Sequence, residues 1–201
     1  MIQTKKTALK RVKSAQLCIV GLGNPGLKYD HTRHNIGKDW LVDLSSKFFK
    51  EFKTKSKYEA DIGESHNGEV LWVIPSNYVN NSGSTVAKIL KSSNLSTSDL
   101  LIIHDDLDLN PGDLRLKEGG GHGGHNGLRD IIEKIGEKNF KRLRVGIGHP
   151  GEKSEVTNWV LRKFSPNEKK LMNSSYEKFK KVFEMICSEQ FEAVQKILHT
   201  K

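Results

Sequence analysis

The sequence predicts an α/β fold in which helices cover both faces of one β-sheet. Short apolar runs, typical of buried strands, alternate along the chain with segments whose apolar residues recur at helical spacing. The chain has 201 residues, without an internal repeat or a long Gly-rich or Pro-rich linker. This length suits one domain with a sizeable core, which we expect over residues 17–201, after a basic leader at residues 1–16.

The first half of the predicted domain alternates strand, helix, strand and helix. Residues 17–20 (LCIV) form an apolar run that stops at a glycine, as a buried strand would. Residues 36–48 then repeat apolar side chains at helical spacing. Residues 69–74 (EVLWVI) predict a second strand, which a proline ends, and residues 82–90 predict a one-sided helix.

The second half continues the alternation. Residues 100–103 (LLII) predict a buried strand, and residues 113–117 predict a shorter strand at the edge of the sheet. A helix is expected at residues 128–135 and a strand at 143–148. The last helix, residues 165–186, opens with a serine cap, a proline in the first turn and a glutamate three residues on. Its buried side is expected to contain Leu171, Phe179, Val182, Phe183 and Ile186.

Composition limits the partners and the compartment. The chain carries 33 Lys and Arg against 24 Asp and Glu, a net charge of +9 that favours a polyanion, although a solvated basic surface would look the same. Cys18 and Cys187 lie in apolar or helical patterns and predict reduced thiols rather than a zinc site. No apolar run reaches the roughly 20 residues that span a bilayer. The leader, with five basic residues and no acid, predicts either a disordered segment or an organelle-targeting one.

The loop after the first strand, residues 21–26 (GLGNPG), matches the glycine pattern of dinucleotide sites. Such sites need a helix that opens directly at the glycines, whereas here a polar stretch comes first. We therefore interpret the loop as a tight turn that brings backbone and Asn24 close to a ligand. A nicotinamide or flavin site is the alternative.

Three further polar clusters follow predicted strands or helices. Residues 77–83 (NYVNNSG) suit a turn and a helix cap. The acids of residues 104–108 (HDDLD) suit either Mg²⁺ binding or the orientation of a histidine. Residues 119–127 (GGGHGGHNG) form a loop that is costly to order unless its backbone approaches a ligand.

Histidines and acids of these clusters set two alternatives for the chemistry. Zinc could bind His122, His125, His104 and Asp105, but flexible glycines hold ligands poorly and no metalloprotease motif is present. A nucleophile elbow and a Walker A loop are also missing from the sequence. A histidine with acids and asparagines is the equipment for activating water without a covalent intermediate.

Taken together, residues 21–37 (GLGNPGLKYDHTRHNIG), 77–83, 104–112 (HDDLDLNPG), 117–132 and 142–151 (RLRVGIGHPG) resemble the bacterial-type peptidyl-tRNA hydrolase family. The resemblance implies a single-domain, three-layer sandwich with a mixed, twisted sheet. It implies hydrolysis of the ester between a peptide and the tRNA 3′ ribose, which recycles tRNA released from stalled ribosomes. It also implies a cytoplasmic monomer without a metal or cofactor, or an organellar one if the leader is a targeting segment.

The same resemblance implies roles for individual residues. His34 matches the general base that activates water, Asp105 the acid that orients it, and Asn24 the amide that distinguishes N-blocked from free aminoacyl esters. The substrate-binding positions match Tyr29, Tyr78, Asn80 and Asn126. The tRNA phosphate-binding positions match Lys117 and Arg144.

One position departs from the family, and one alternative function stays open. Val79 stands where methionine is more usual, which changes the wall of the site rather than its chemistry. A catalytically inactive, RNA-binding relative would be expected to have lost His34, Asp105 or Asn24, and all three are present.

Overall fold

Seven strands form one mixed sheet in the computed structural model, which describes residues 15–48 and 51–200. The strands are β1 (Leu17–Gly21), β2 (Lys53–Lys55), β3 (Ala60–Glu64), β4 (Val70–Pro75), β5 (Leu100–Asp106), β6 (Leu114–Glu118) and β7 (Lys141–Gly146). Their order is β2-β3-β4-β1-β5-β7-β6. The four central strands are parallel, and the edge pairs are antiparallel. Residues 1–14, most of the predicted leader, lie outside the described residues.

Helices cover both faces of this sheet, so the predicted three-layer α/β fold is confirmed. They are α1 (Ile36–Phe48), α2 (Ser82–Ser93), α3 (Asn126–Ile135), α4 (Val156–Val160), α5 (Pro166–Cys187) and α6 (Phe191–His199). Within residues 15–48 and 51–200, no helix is both long enough and apolar enough to cross a membrane.

Alternation of side chains along each strand divides the core in two. On one face, Ile19 of β1 belongs to the apolar cluster formed with α1, α5 and α6, where the rings of Trp40 and Phe179 stack at 5.3 Å. On the other face, Val20 belongs to the cluster formed with α2 and α3. Because both of their faces are buried, β1, β4 and the first four residues of β5 are apolar almost throughout, which made them recognisable in the sequence.

The structure departs from the sequence-based prediction at several elements. Strand β2 (KTK) is exposed at all three positions, and α4 has only five residues, so neither carries a hydrophobic period. Leu171 was expected on the buried side of α5, and this was wrong: its side chain is about half exposed, while Met172 is buried instead. The strand predicted at 143–148 begins and ends two residues earlier.

Helix α6 was also missed, and it covers the edge of the sheet. Two side chains of α6 bond the outward backbone groups of Leu116 in β6. Gln195 Nε2 donates to the Leu116 carbonyl at 3.0 Å, and His199 Nε2 accepts the Leu116 N–H at 3.2 Å. These side chains replace the hydrogen bonds of a neighbouring strand.

A glycine at the start of α1 allows this helix to lie directly on the sheet. A Cβ added at Gly37 would stand 2.2 Å from the carbonyl oxygen of Ile103. Only glycine permits this approach. The 3₁₀ turn Arg33–Asn35, which precedes α1, is thereby brought next to the end of β5.

Candidate active site

An open cleft of about 570 Å³ lies where the polar clusters of the sequence meet. Strands β1, β4 and β5 are parallel, so the loops that follow them leave the sheet at the same edge. The loop Gly119–His125, called the glycine loop below, reaches the same cleft from β6. All nine site residues predicted from the sequence line this cleft.

The centre of the cleft is a carboxylate between two imidazoles. His34 Nδ1 lies 2.8 Å from Asp105 Oδ1, and His125 Nε2 lies 3.1 Å from the same oxygen. The side chain of Asp105 is 2% exposed, and that of His34 is 14% exposed. With Nδ1 of His34 bonded to the carboxylate, Nε2 is the ring atom that can accept a proton from water.

Burial and charge shift the pKa values of His34, Asp105 and His104 in different directions. Burial alone would lower the pKa of His34, but the negative charge of Asp105 and its hydrogen bond raise this pKa above the ordinary histidine value. Burial works to raise the pKa of Asp105, and the charges of His34 and His125 with their hydrogen bonds hold it well below its usual range. Burial and His125 keep the pKa of His104 far below normal, so that ring stays neutral.

The donor atoms of His34, Asp105 and His125 lie within 4.8 Å of one another, close enough for a metal ion. The hydrogen bonds of His125 oppose such a site. Its Nδ1 accepts the backbone N–H groups of Gly127 at 3.1 Å and Leu128 at 3.2 Å, so the ring proton belongs on Nε2. A metal at Nε2 would require this ring to lose that proton as well.

Asn24 is held so that its amide N–H groups, not its oxygen, are free for a ligand. Its Oδ1 accepts the backbone N–H of Val79 at 2.9 Å. Asn35 fixes the Asn24 backbone with two bonds: Oδ1 accepts the Asn24 N–H at 2.8 Å, and Nδ2 donates to the Asn24 carbonyl at 3.0 Å. The side chain of Asn35 is fully buried, and sequence reasoning missed this role.

Val79, the position that departs from the family pattern, lines the cleft and packs against the start of α3. Its side chain is buried, and a Cβ added at Gly127 would stand 2.6 Å from Val79 Cγ1. The loop after β4 and the start of α3 are therefore in close contact. Asn80 and Asn126, which flank this contact, are both exposed in the cleft.

Two tyrosines form the rim of the cleft near Asn24. The rings of Tyr29 and Tyr78 meet edge to face, with centroids 6.0 Å apart. Tyr78 is 49% exposed, and Lys28 Nζ lies 4.8 Å from the centre of the Tyr29 ring. An exposed aromatic pair beside a cation is a suitable surface for nucleotide bases.

The cations of the paired strands β6 and β7 lie on one face of the sheet. Arg115 stands opposite Arg144, and Lys117 stands opposite Arg142, in an antiparallel register. Lys117 is exposed, whereas Arg144 Nε donates to Asp106 Oδ2 at 2.6 Å. Four cations on adjacent positions of one face concentrate the positive charge that the composition indicated.

Arg142 differs from its neighbours because its guanidinium group is buried and bonded to backbone. Nη1 donates to the carbonyl of Gly121, and Nη2 donates to that of Gly120 at 2.7 Å. The group also lies 4.4 Å from the ring of Phe140. Arg142 therefore fixes the glycine loop, and nothing in the sequence distinguished it from the other basic residues.

Arg33, next to His34, is a second buried arginine that the sequence did not reveal. Its Nη2 lies 2.9 Å from both carboxylate oxygens of Glu168, and its guanidinium stacks 3.8 Å from the Trp159 ring. Its Nη1 donates to the carbonyls of Trp159, Arg162 and Lys163. The turn that carries His34 is thereby attached to the segment between α4 and α5.

The dinucleotide interpretation of residues 21–26 finds no support in the structure of this loop. After Gly26 the chain makes the 3₁₀ turns Leu27–Tyr29 and Arg33–Asn35, and the first α-helix begins only at Ile36. No helix N-terminus therefore opens at the glycines to receive a pyrophosphate. Neither cysteine lines the cleft, and burial raises the pKa of each thiol to about 12.

Comparison with known proteins places this architecture in a family. The family model of peptidyl-tRNA hydrolase matches residues 18–201. The peptidyl-tRNA hydrolase of Francisella tularensis subsp. novicida is 40% identical over 186 residues, covering 91% of this chain and 97% of that protein. The one from Ruthia magnifica is 41% identical over 186 residues. The crystal structure of peptidyl-tRNA hydrolase from Acinetobacter baumannii superposes with a TM-score of 0.87 at 40% identity, covering 92% of this chain and 95% of that one.

Proposed function

The chain belongs to the peptidyl-tRNA hydrolase family, and we propose that His34, oriented by Asp105, is the general base of its reaction. The protein hydrolyses the ester bond between a peptide and the tRNA 3′ ribose and so recycles tRNA. The observation that carries the proposal for the base is the 2.8 Å bond between His34 Nδ1 and Asp105 Oδ1 inside the cleft.

In the proposed step, His34 Nε2 removes a proton from water as the oxygen attacks the ester carbonyl. The carboxylate of Asp105 keeps the proton on Nδ1 and stabilises the imidazolium that forms. Collapse of the tetrahedral intermediate releases the 3′ oxygen of the ribose, which takes the proton back from Nε2. The amides of Asn80 and Asn126, which also line the cleft, are proposed to hold the water or the developing oxyanion.

Asn24 supplies the distinction between a peptide and a free amino acid. Because its oxygen is bonded to the Val79 N–H, it offers two N–H donors to the substrate. These donors suit the carbonyl oxygen of a peptide bond. A free ammonium group would place donor against donor and leave the amide unpaired, which disfavours aminoacyl-tRNA.

The cationic face of β6 and β7 is proposed to bind the tRNA backbone. Lys117 is exposed, and the two terminal nitrogens of Arg144 are suited to a phosphate in the fork geometry that arginine prefers. The exposed edge of the tyrosine pair is proposed to contact the bases at the acceptor end. Since one chain supplies every group of the site, we further propose that the protein acts as a monomer, which light scattering of the purified protein tests. We also propose that it acts in the cytoplasm, as its family suggests.

The decisive assay compares N-acetyl-aminoacyl-tRNA with unblocked aminoacyl-tRNA, both in the presence of a chelator. Rapid release of the blocked amino acid, with the unblocked ester left intact, is the expected result. Cleavage of both esters at equal rates would remove the proposed role of Asn24. Loss of all activity in chelator would remove the metal-independent mechanism.

A further inference from the structure

Asp105 has a second imidazole neighbour, which the proposed mechanism does not use. His125 Nε2 lies 3.1 Å from Asp105 Oδ1, the same oxygen that bonds His34. The rings of His34 and His125 are 5.0 Å apart, and the side chain of His125 is 8% exposed. One carboxylate oxygen thus receives two N–H groups, one from each histidine.

The N-terminus of α3 decides which nitrogen of His125 carries the proton. His125 is the capping residue of this helix, and its Nδ1 accepts the backbone N–H groups of Gly127 and Leu128. A nitrogen that accepts two hydrogen bonds holds no proton, so the proton lies on Nε2 and points at Asp105. The hydrogen bonds of the helix cap thus fix the Nε2–H group of His125 as a donor to the Asp105 carboxylate.

We propose that His125 is a positioning residue that holds the Asp105 carboxylate in place and moderates its attraction for the proton on His34. The proposal rests on the proposed function of His34 as general base. Without the second donor, the whole charge of Asp105 would act on His34. The imidazolium of His34 would then be stabilised further, and a larger fraction of the base would be protonated, and so inactive, at neutral pH.

The other titratable groups around this carboxylate do not provide the same bond. His104 of β5 donates through Nδ1 to the backbone carbonyl of Asp105, not to its side chain, at 2.7 Å. Its ring meets that of His125 edge to face at 5.1 Å. Asp106, the next residue of β5, is bonded to Arg144. His125 alone therefore joins His34 at the carboxylate among the residues described.

Two substitutions separate the role of His125 at Asp105 from its role as a helix cap. In His125→Asn, the amide stands about where Nδ1 stands, so the cap is retained and the donor to Asp105 is lost. In His125→Gln, the terminal amide nitrogen stands about where Nε2 stands, so the donor is retained and the cap is weakened. His149→Asn is the matched control, because His149 Nδ1 also accepts a backbone N–H, that of Gly151 at 3.0 Å, and this side chain does not line the cleft.

The expected result is a crossed pattern. At pH 7, kcat for N-acetyl-aminoacyl-tRNA should fall about tenfold in His125→Asn, the usual size of a hydrogen bond to a charged group. The acid limb of its pH–rate profile should move to higher pH. His125→Gln should keep the wild-type limb but unfold at a lower temperature, and His149→Asn should match the wild type in both.

Equal profiles for His125→Asn and wild type would overturn the proposal, as would equal losses in the Asn and Gln variants with an unmoved acid limb. A measurement without substrate keeps these outcomes apart from a failure of the proposed function. The ¹⁵N shifts of the imidazoles should show the Nε2–H form of His125 in the wild-type protein. They should also show His34 titrating at higher pH in His125→Asn. The Nδ1–H form of His125 would refute the inference whatever the enzyme hydrolyses.

Discussion

The polar side chains at one end of the cleft are buried and bonded, whereas those at the other end are open to solvent. The side chain of Asp105 is 2% exposed, and both His34 and His125 bond to its carboxylate. At the cationic face of β6 and β7 and at the tyrosine rim, Lys117 is exposed and Tyr78 is 49% exposed. The two ends therefore face different physical demands.

At the buried end, low local dielectric makes each hydrogen bond strong and each missing partner costly, so atoms are held to a fixed geometry. At the open end, water and salt weaken individual charges, and what matters is the number of cations on the surface. From this difference we expect the buried end to control the rate of the chemical step. The open end should control substrate binding and its dependence on salt.

The largest effect is expected at the buried end. His34→Asn removes the base but retains a polar side chain, and kcat should fall by about 10²–10⁴, the usual contribution of positioned general-base catalysis. Binding of tRNA, which we propose uses the other end, should change little. Single-turnover hydrolysis and filter binding measure the two effects, and a turnover close to wild type would refute the assignment of the base.

The second expected effect is a pH dependence confined to the buried end. His34 acts only when deprotonated, so kcat/KM should fall about tenfold for each pH unit below its pKa. Asp105 raises that pKa, so the loss should begin at a higher pH than an ordinary histidine would give. Affinity for tRNA should not follow the same curve, because lysine and arginine stay charged. A flat rate profile across pH 5–8 would contradict this division.

A sharper test uses Arg142, which belongs to the cationic face but whose guanidinium group is buried and bonded to backbone carbonyls. Arg142→Met retains the apolar stem but removes the donors to the carbonyls of Gly120 and Gly121. The glycine loop ends at His125 and is followed by Asn126, so loosening it should disturb both side chains. We expect kcat/KM to fall about tenfold, the effect usual for the loss of a hydrogen bond from a charged donor. The slope of log affinity against log salt should stay as in the wild type. A reduced slope would show that Arg142 binds phosphate instead.

The smallest effect is expected from the same substitution at its cross-strand neighbour. Lys117→Met should weaken tRNA binding by a few-fold and reduce the salt slope by about one, with kcat unchanged. Titrations of a non-hydrolysable peptidyl-tRNA analogue at several salt concentrations provide the measurement. A lower kcat with an unchanged slope would place Lys117 with the buried group.

The fold was predictable where the sequence has a period. The apolar runs of β1, β4 and β5, and the helical spacing of α3, each follow from burial on one or two faces. Strand β2, with no buried residue, gave no such pattern. Leu171 was misplaced because it follows the period of α5, whose adjacent Met172 is buried instead.

The site was predictable only in part, for a different reason. Asn24, His34 and Asp105 stand in unusual local motifs, and the resemblance to a family assigned roles to them. Arg33 and Arg142 look like any other basic residue, since the Arg33–Glu168 pair spans 135 positions of the chain. Partners this distant are set by the tertiary structure, and no local pattern records them.

The cover that α6 gives to β6 protects more than the sheet. An uncovered edge strand offers its N–H and carbonyl groups to any extended segment, including the same strand of another copy. Here that strand also carries Lys117 on one of its faces, so a strand of another copy paired at this edge would lie beside the proposed tRNA-binding surface. Gln195 and His199 occupy the edge groups of Leu116 and so oppose this pairing.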